Sequence, residues 1–234
     1  MVAATPPCVG YRAQGGSLDV VSATAHGPVP PGFQAVAMIA SLGGLHAVSE
    51  VLRGLPADFP APMVVVQHGR READGDRLGR LLARVTPLPV RTARTGDPLG
   101  ASGVVVVPTG HCAVLGPDRT ITLAEGPALR SGDQFLTSLA ATLGQAVIGV
   151  VLTGMLDDGA RGVREVKRGG GRVLVQDPTT ARAPGMPASA MATGCVDFVL
   201  PLNRIAAALV ALTMAPGGAD LLRVPIAPWA RLHA

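Results

Sequence analysis

Ala35-Val36-Ala37-Met38-Ile39-Ala40-Ser41-Leu42-Gly43-Gly44 runs six apolar residues straight into a serine and a pair of glycines. An uninterrupted apolar run of that length reads as a strand buried on both faces. The serine and glycines then mark a tight turn into a helix over Gly44–Arg53, where Leu45, Val48 and Leu52 recur at three- and four-residue steps. The same alternation continues along the chain. Strands are predicted at Ala35–Ala40, Met63–Gln67, Leu88–Ala93, Val104–Val107, Ala146–Leu152, Arg172–Gln176 and Val196–Leu200. Helices are predicted at Arg77–Arg84, Asp133–Leu143, Ala160–Arg168 and Asn203–Thr213. A hairpin, Cys112–Leu115 and Thr120–Leu123 around Gly116-Pro117-Asp118, interrupts the series. This order predicts an α/β fold: a doubly wound, mainly parallel sheet with helices on both faces and a small β-hairpin insertion.

The chain has 234 residues, of which 48% are hydrophobic, 15% charged and 3% aromatic. That is enough for one α/β domain whose core is built from aliphatic side chains. The formal net charge is +4, but the basic residues are dispersed, and one Trp, one Tyr and four Phe leave little on which bases could stack. Nucleic-acid binding is therefore not expected. Residues 1–34, rich in Pro, Gly, Ser and Thr, read as a flexible leader, 35–214 as the folded domain and 215–234 as a short tail that Leu221, Leu222 and Trp229 could dock. Three cysteines, Cys8, Cys112 and Cys195, show no paired spacing, so free thiols in a reduced, cytoplasmic setting are expected, with no metal site. No apolar run reaches membrane-spanning length, and the start lacks a signal-peptide layout.

In a sheet of this kind, sites form at the carboxyl ends of the strands. Three complementary side chains are predicted there. Ser41 follows the first strand, at a helix N-terminus whose free amides can stabilise a developing oxyanion. His68 ends the second strand and could accept the serine proton, and Asp158, after Ala146–Leu152, could orient and stabilise the imidazole. Each also has a plain alternative: Ser41 and Asp158 are favoured helix caps, and His68 could simply hydrogen-bond a loop. Ile39 stands where a nucleophile elbow has its first glycine, and no dinucleotide or phosphate-loop fingerprint is present. The order Ser, His, Asp differs from that of α/β-hydrolases, chymotrypsin-like enzymes and subtilisins. Such a triad requires no cofactor and no metal.

Ala37-Met38-Ile39-Ala40-Ser41-Leu42-Gly43-Gly44 resembles the nucleophile segment of the catalytic domain of the CheB chemotaxis methylesterases. Leu55-Pro56-Ala57-Asp58-Phe59-Pro60 with Val64-Val65-Val66-Gln67-His68, Leu152-Thr153-Gly154-Met155 with Asp158-Gly159-Ala160, and Gly185-Met186-Pro187 resemble further segments in the family's order. The resemblance, from about Ala35 to Thr213, implies hydrolysis of glutamyl methyl esters on methyl-accepting chemotaxis receptors, often with deamidation of receptor glutamines. It implies Ser41 as nucleophile, His68 as base and Asp158 as its partner, with the Met155 amide as an oxyanion contact and Leu42 and Gly43 in the site wall. Receptors, or similar methylated signalling proteins, would be the partners, met peripherally at the membrane.

The chain departs from the family at three places. Leu42 stands for a threonine beside the nucleophile, and Leu156-Asp157 for a glycine and a variable residue. If that glycine has left-handed backbone, a leucine there costs about 1 kcal/mol. The family's Arg-Pro-Ser-x-x-Asp becomes Leu129-Arg130-Ser131-Gly132-Asp133, with the aspartate kept and the arginine lost or shifted by one. A leader of 34 residues is too short for the receiver domain of typical members, which needs roughly a hundred, so no phosphorylation control in cis is expected. Esterase action on another substrate, or a binding module of the same fold that has lost activity, are the competing readings. His111 is read as a loop histidine, Arg70-Arg71 as a solvated pair, and Gly169-Gly170-Gly171 as a helix end rather than a phosphate loop.

Overall fold

The computed structural model describes residues 32–69, 76–125, 130–218 and 224–226. In chain order its elements are β1 (Ala35–Ala40), α1 (Gly44–Arg53), β2 (Met63–Gln67), α2 (Arg77–Leu82), β3 (Val90–Thr92), β4 (Asp97–Pro98), β5 (Val104–Val106), β6 (His111–Leu115) and β7 (Thr120–Glu125). Then follow α3 (Ser131–Leu143), β8 (Val147–Val151), α4 (Ala160–Arg168), β9 (Arg172–Gln176), α5 (Gly185–Ala192), β10 (Phe198–Leu200) and α6 (Leu202–Met214). Seven strands form a parallel sheet in the order β10-β9-β8-β1-β2-β5-β3, and a smaller antiparallel sheet has the order β4-β7-β6. The expected leader lies mostly outside the described residues, as do Cys8, Arg70-Arg71 and the tail residues Leu221, Leu222 and Trp229.

The period-two geometry of a strand divides β1 between two cores. Ala35, Ala37 and Ile39 pack with Phe135, Leu136 and Leu139 of α3, Val163 and Val166 of α4, Met186 of α5, and Ala113 and Ile121 of the small sheet. Val36, Met38 and Ala40 pack with Val48 and Leu52 of α1, Leu82 of α2, and Ile205 and Leu209 of α6. Every residue of β1 is buried, which is why its sequence does not alternate in polarity. The chain passes from β1 to β2, out to β3 at the edge and back to β5 between them, then to β8 on the other side of β1. The strand order therefore reverses between β1 and β8, the kind of place at which open α/β sheets form their sites.

The structure differs from the sequence expectation in several places: β3 and β10 are shorter than predicted, and α3 begins two residues earlier, at Ser131. The hairpin gains a third strand, β4, two residues long and ending on Pro98 at the sheet edge, a place where proline is tolerated. Gly185-Met186-Pro187, where no helix was predicted, opens helix α5, since proline in a first turn forfeits no helical hydrogen bond. Helix α2 stops at Leu82, two residues early.

Neither α3 nor α4 carries a side-chain cap on its own N-cap residue. Instead the two helices exchange carboxylates. Asp158, just before α4, accepts from the amides of Gly132 (2.8 Å) and Asp133 (2.8 Å) in the first turn of α3. Asp133, in that turn, accepts through Oδ1 from Gly159 (3.0 Å) and Gly162 (2.8 Å) of α4. Amides left without partners at two helix starts thus satisfy two buried carboxyl groups. Arg130 closes the arrangement on the solvent side, donating to Asp133 Oδ2 and to Asp157 Oδ2, both at 3.1 Å. Asp157 is followed by the capping Asp158 and preceded by Leu156, which has φ 65°, a left-handed backbone that a leucine adopts at a cost.

Two stability outcomes follow from these contacts. Asp133→Ala leaves the Gly162 amide without its acceptor and the Gly159 amide with Asp158 alone, and should lower the unfolding free energy by about 1–3 kcal/mol in urea titrations. Asp133→Asn, which keeps one oxygen, should lose less; equal losses would show that the acceptor does not matter. Leu156→Gly should raise stability by about 1 kcal/mol, or the melting temperature by about 2–4 °C. No gain would mean that the leucine side chain offsets its backbone strain through contacts.

Candidate active site

Ser41 stands at the end of β1, and its amide donates to Thr153 O (2.9 Å), which carries the β1–β8 ladder one step past the strands. It is not a helix cap: α1 begins after Gly43, whose φ of 84° turns the chain, and no side chain caps the helix. The hydroxyl is thereby left without a structural task, and among the described residues it has no hydrogen-bond partner. His68 follows β2, its amide bound to Ala40 O (2.9 Å), so the parallel pairing of β1 and β2 sets it beside the serine turn. Its Nε2 lies 2.5 Å from Asp158 Oδ2, leaving Nδ1 as the other ring nitrogen. Ser41 and His68 line one depression of about 730 Å³.

Asp158 is 2% exposed, and its two oxygens are satisfied by Gly132, Asp133, Gly159 and His68. A carboxyl group buried to that degree requires such partners. The capping alternative is realised here in an unexpected form. Asp158 does cap a helix, but mainly α3 rather than the helix it precedes, and it holds His68 at the same time. Gly132 makes room for this: a Cβ there would lie 2.3 Å from Ile39 Cγ2 and 2.8 Å from Asp158 Oδ2.

The loop after β8 passes close to the serine, and a Cβ on Gly154 would fall 2.8 Å from Ser41 Cβ. Met155 and Leu42, 59% and 46% exposed, flank Ser41 on the two loops. Neither of their amides donates to a described residue, so both are free to meet an oxyanion. Thr153, missed in the sequence reading, joins these loops. Its Oγ1 donates to Leu42 O (2.9 Å) and accepts from Ala183 N (2.9 Å), and its own amide donates to Gln176 Oε1 (2.9 Å). Asp133 was noted in sequence only as a kept family position. The signal available for both was a polar residue at the junction of a buried strand or helix.

Cys112 is the nearby alternative nucleophile, but burial and then the charge of Asp158 push its thiol pKa above the usual range, which keeps it protonated. His111, read as a loop histidine, instead opens strand β6, and its Nδ1 lies 3.4 Å from Thr109 O. Cys195 is a buried free thiol. Among the described residues no three His, Cys, Asp or Glu side chains are grouped to hold a metal, and no helix is long and apolar enough to cross a membrane.

Comparison with known proteins converges on one family. The family model described as CheB methylesterase matches residues 36–209. A protein of Anaeromyxobacter dehalogenans named protein-glutamate methylesterase/protein-glutamine glutaminase 2 is 45% identical over 186 residues, 77% of this chain and 53% of that protein. The protein-glutamate methylesterase FrzG of Myxococcus xanthus is 41% identical over 77% of this chain and 55% of its own. The chain thus spans about half the length of these two relatives. The crystal structure of the Thermotoga maritima CheB methylesterase catalytic domain aligns with a TM-score of 0.70 at 30% identity, covering 76% of this chain and 97% of that one. With the family model matched over most of the chain and the fold shared with that domain, the chain belongs to the CheB methylesterase family.

Proposed function

We propose that this chain is a serine hydrolase that removes methyl esters from protein glutamates, with Ser41, His68 and Asp158 as its catalytic triad and residues 35–214 as its catalytic unit. The observation that carries the reading is the His68–Asp158 pair, with Nε2 2.5 Å from a carboxylate oxygen, in the same groove as an uncapped serine hydroxyl. Membership in the CheB family and the relatives' printed names support the choice of ester.

In the proposed reaction Ser41 Oγ attacks the ester carbonyl while His68 takes its proton. Asp158 holds the imidazole and stabilises the imidazolium. Negative charge collects on the former carbonyl oxygen, where the Leu42 and Met155 amides receive it; such a donor is worth about 10²–10³ in rate. Collapse expels methanol, protonated by His68, and leaves a glutamyl-serine ester. Water, deprotonated by His68, attacks that ester, and Ser41 leaves with the proton. Glutamine side chains follow the same course with ammonia as the leaving group. The substrates are methyl-accepting chemoreceptors or similar methylated signalling proteins, reached from the cytoplasm at the membrane surface.

Receptor-bearing membranes carrying labelled glutamyl methyl esters test this. Wild-type protein should release labelled methanol, and Ser41→Ala should lose about 10³-fold or more. Asp158→Asn, which disturbs the tautomer of His68, should lose about 10³–10⁴-fold in kcat. Release that is absent, or that survives Ser41→Ala, overturns the proposal.

A further inference from the structure

The groove that holds Ser41 and His68 is one-sided in charge. Its rim carries Arg53 and Arg182 with His46, and no carboxylate lines it among the described residues. Arg53 is already engaged, donating to Glu50 at 2.8 Å. Arg182 has no described ion-pair or hydrogen-bond partner. Yet its root is firmly placed. The next residue, Ala183, is tied through its amide to Thr153 Oγ1 and through its carbonyl to Gly154 N, each at 2.9 Å. The aliphatic stem lies directly on the serine turn, since a Cβ on Gly43 would fall 2.9 Å from Arg182 Cβ and 3.2 Å from its Cδ. The same Thr153 hydroxyl holds Leu42 O, so the arginine and the nucleophile hang from one residue.

A second unsatisfied group faces the groove. Gln67 closes β2 beside His68, and its buried Oε1 has no hydrogen-bond partner. A Cβ on Gly44 would meet that amide at 3.2 Å, so Gln67 flanks the turn that carries Ser41, as Arg182 does through Gly43. The Gln67 oxygen is an acceptor and suits a donor such as a substrate amide N–H, whereas the free guanidinium rooted on the nucleophile turn is the complement of an acidic side chain.

We infer that the groove contains a carboxylate subsite, in which Arg182 pairs with an acidic side chain neighbouring the esterified glutamate and so selects substrates whose methyl ester lies in an acid-rich segment. The inference rests on the esterase reading above and names what that site recognises beyond the ester. Arg182 acts on binding: it does not touch the reacting atoms, and its pairing with substrate is the same before and during attack, so its effect belongs in KM.

Two synthetic peptides, each with one glutamyl methyl ester, test this: one has glutamates flanking the ester and the other glutamines. Wild-type protein should favour the acidic peptide in kcat/KM by about threefold or more, through KM, with the preference shrinking as salt is raised. Arg182→Lys should keep part of the preference, Arg182→Ala should bring the ratio near one, and Arg182→Glu should invert it. Ser41-dependent hydrolysis of both peptides with equal efficiency, or a ratio unmoved by Arg182→Glu, overturns the subsite while leaving the esterase reading in place. No methanol from either peptide or from receptor membranes overturns both.

Discussion

A carboxyl group at 2% exposure sets the terms for everything around the site. Asp158 cannot be buried at the top of the sheet unless its oxygens are met, and three backbone amides and one imidazole meet them. Two of those amides belong to α3, whose start must therefore be pressed against the loop before α4. Asp133 returns the contact by accepting from α4. The helices are thus joined through their N-termini, where their dipoles favour negative charge. His68 draws on the same carboxylate, so the imidazole is oriented by the interaction that also locks two helices. Helix capping and site geometry cannot be separated here.

A second constraint comes from the sheet. Because β1 is paired on both sides, to β2 and to β8, its carboxyl end has fixed neighbours: the His68 loop on one side and the Thr153–Gly154 loop on the other. Thr153 converts that adjacency into a rigid junction by bonding Leu42 and Ala183 through a single hydroxyl. The Ser41 turn, the loop after β8 and the segment bearing Arg182 all meet there. A buried polar side chain at such a junction is satisfied completely or is costly, and Thr153 is satisfied.

The departures from the family pattern belong to this same region and are partly coupled. Leu156 occupies a left-handed backbone position, as a glycine-to-leucine change would require, and the adjacent Asp157 receives Arg130. Arg130 also reaches Asp133. Arg130 and Asp157 thus form an exposed ion pair that braces the α3–α4 exchange from outside, although such exposed pairs contribute modestly. Leu42 leaves its side chain at the groove mouth, where it adds apolar surface without disturbing the backbone contact to Thr153.

Much of this was legible in the sequence, for definite reasons. The strands β1, β2 and β9 and the helices α1 and α4 have the predicted bounds, because an apolar run buried on both faces and a 3.6-residue stripe are local signals. Helix α5 and strand β4 were not read, since a proline inside each argues locally against them while tertiary placement, a first turn and a sheet edge, makes it harmless. That Ser41, His68 and Asp158 sit at strand ends followed from the alternation of elements. What sequence left open was the choice between cap and site for each of them. Only the tertiary structure shows their placement: the order of β1, β2 and β8 brings the three ends together, Gly43 rather than Ser41 stands at the start of α1, and Asp158 reaches the amides of α3, a helix that begins at Ser131, 29 residues before α4 begins at Ala160. Propensity and spacing act over a few residues along the chain, whereas a buried carboxylate finds its partners wherever the fold brings free amides within reach.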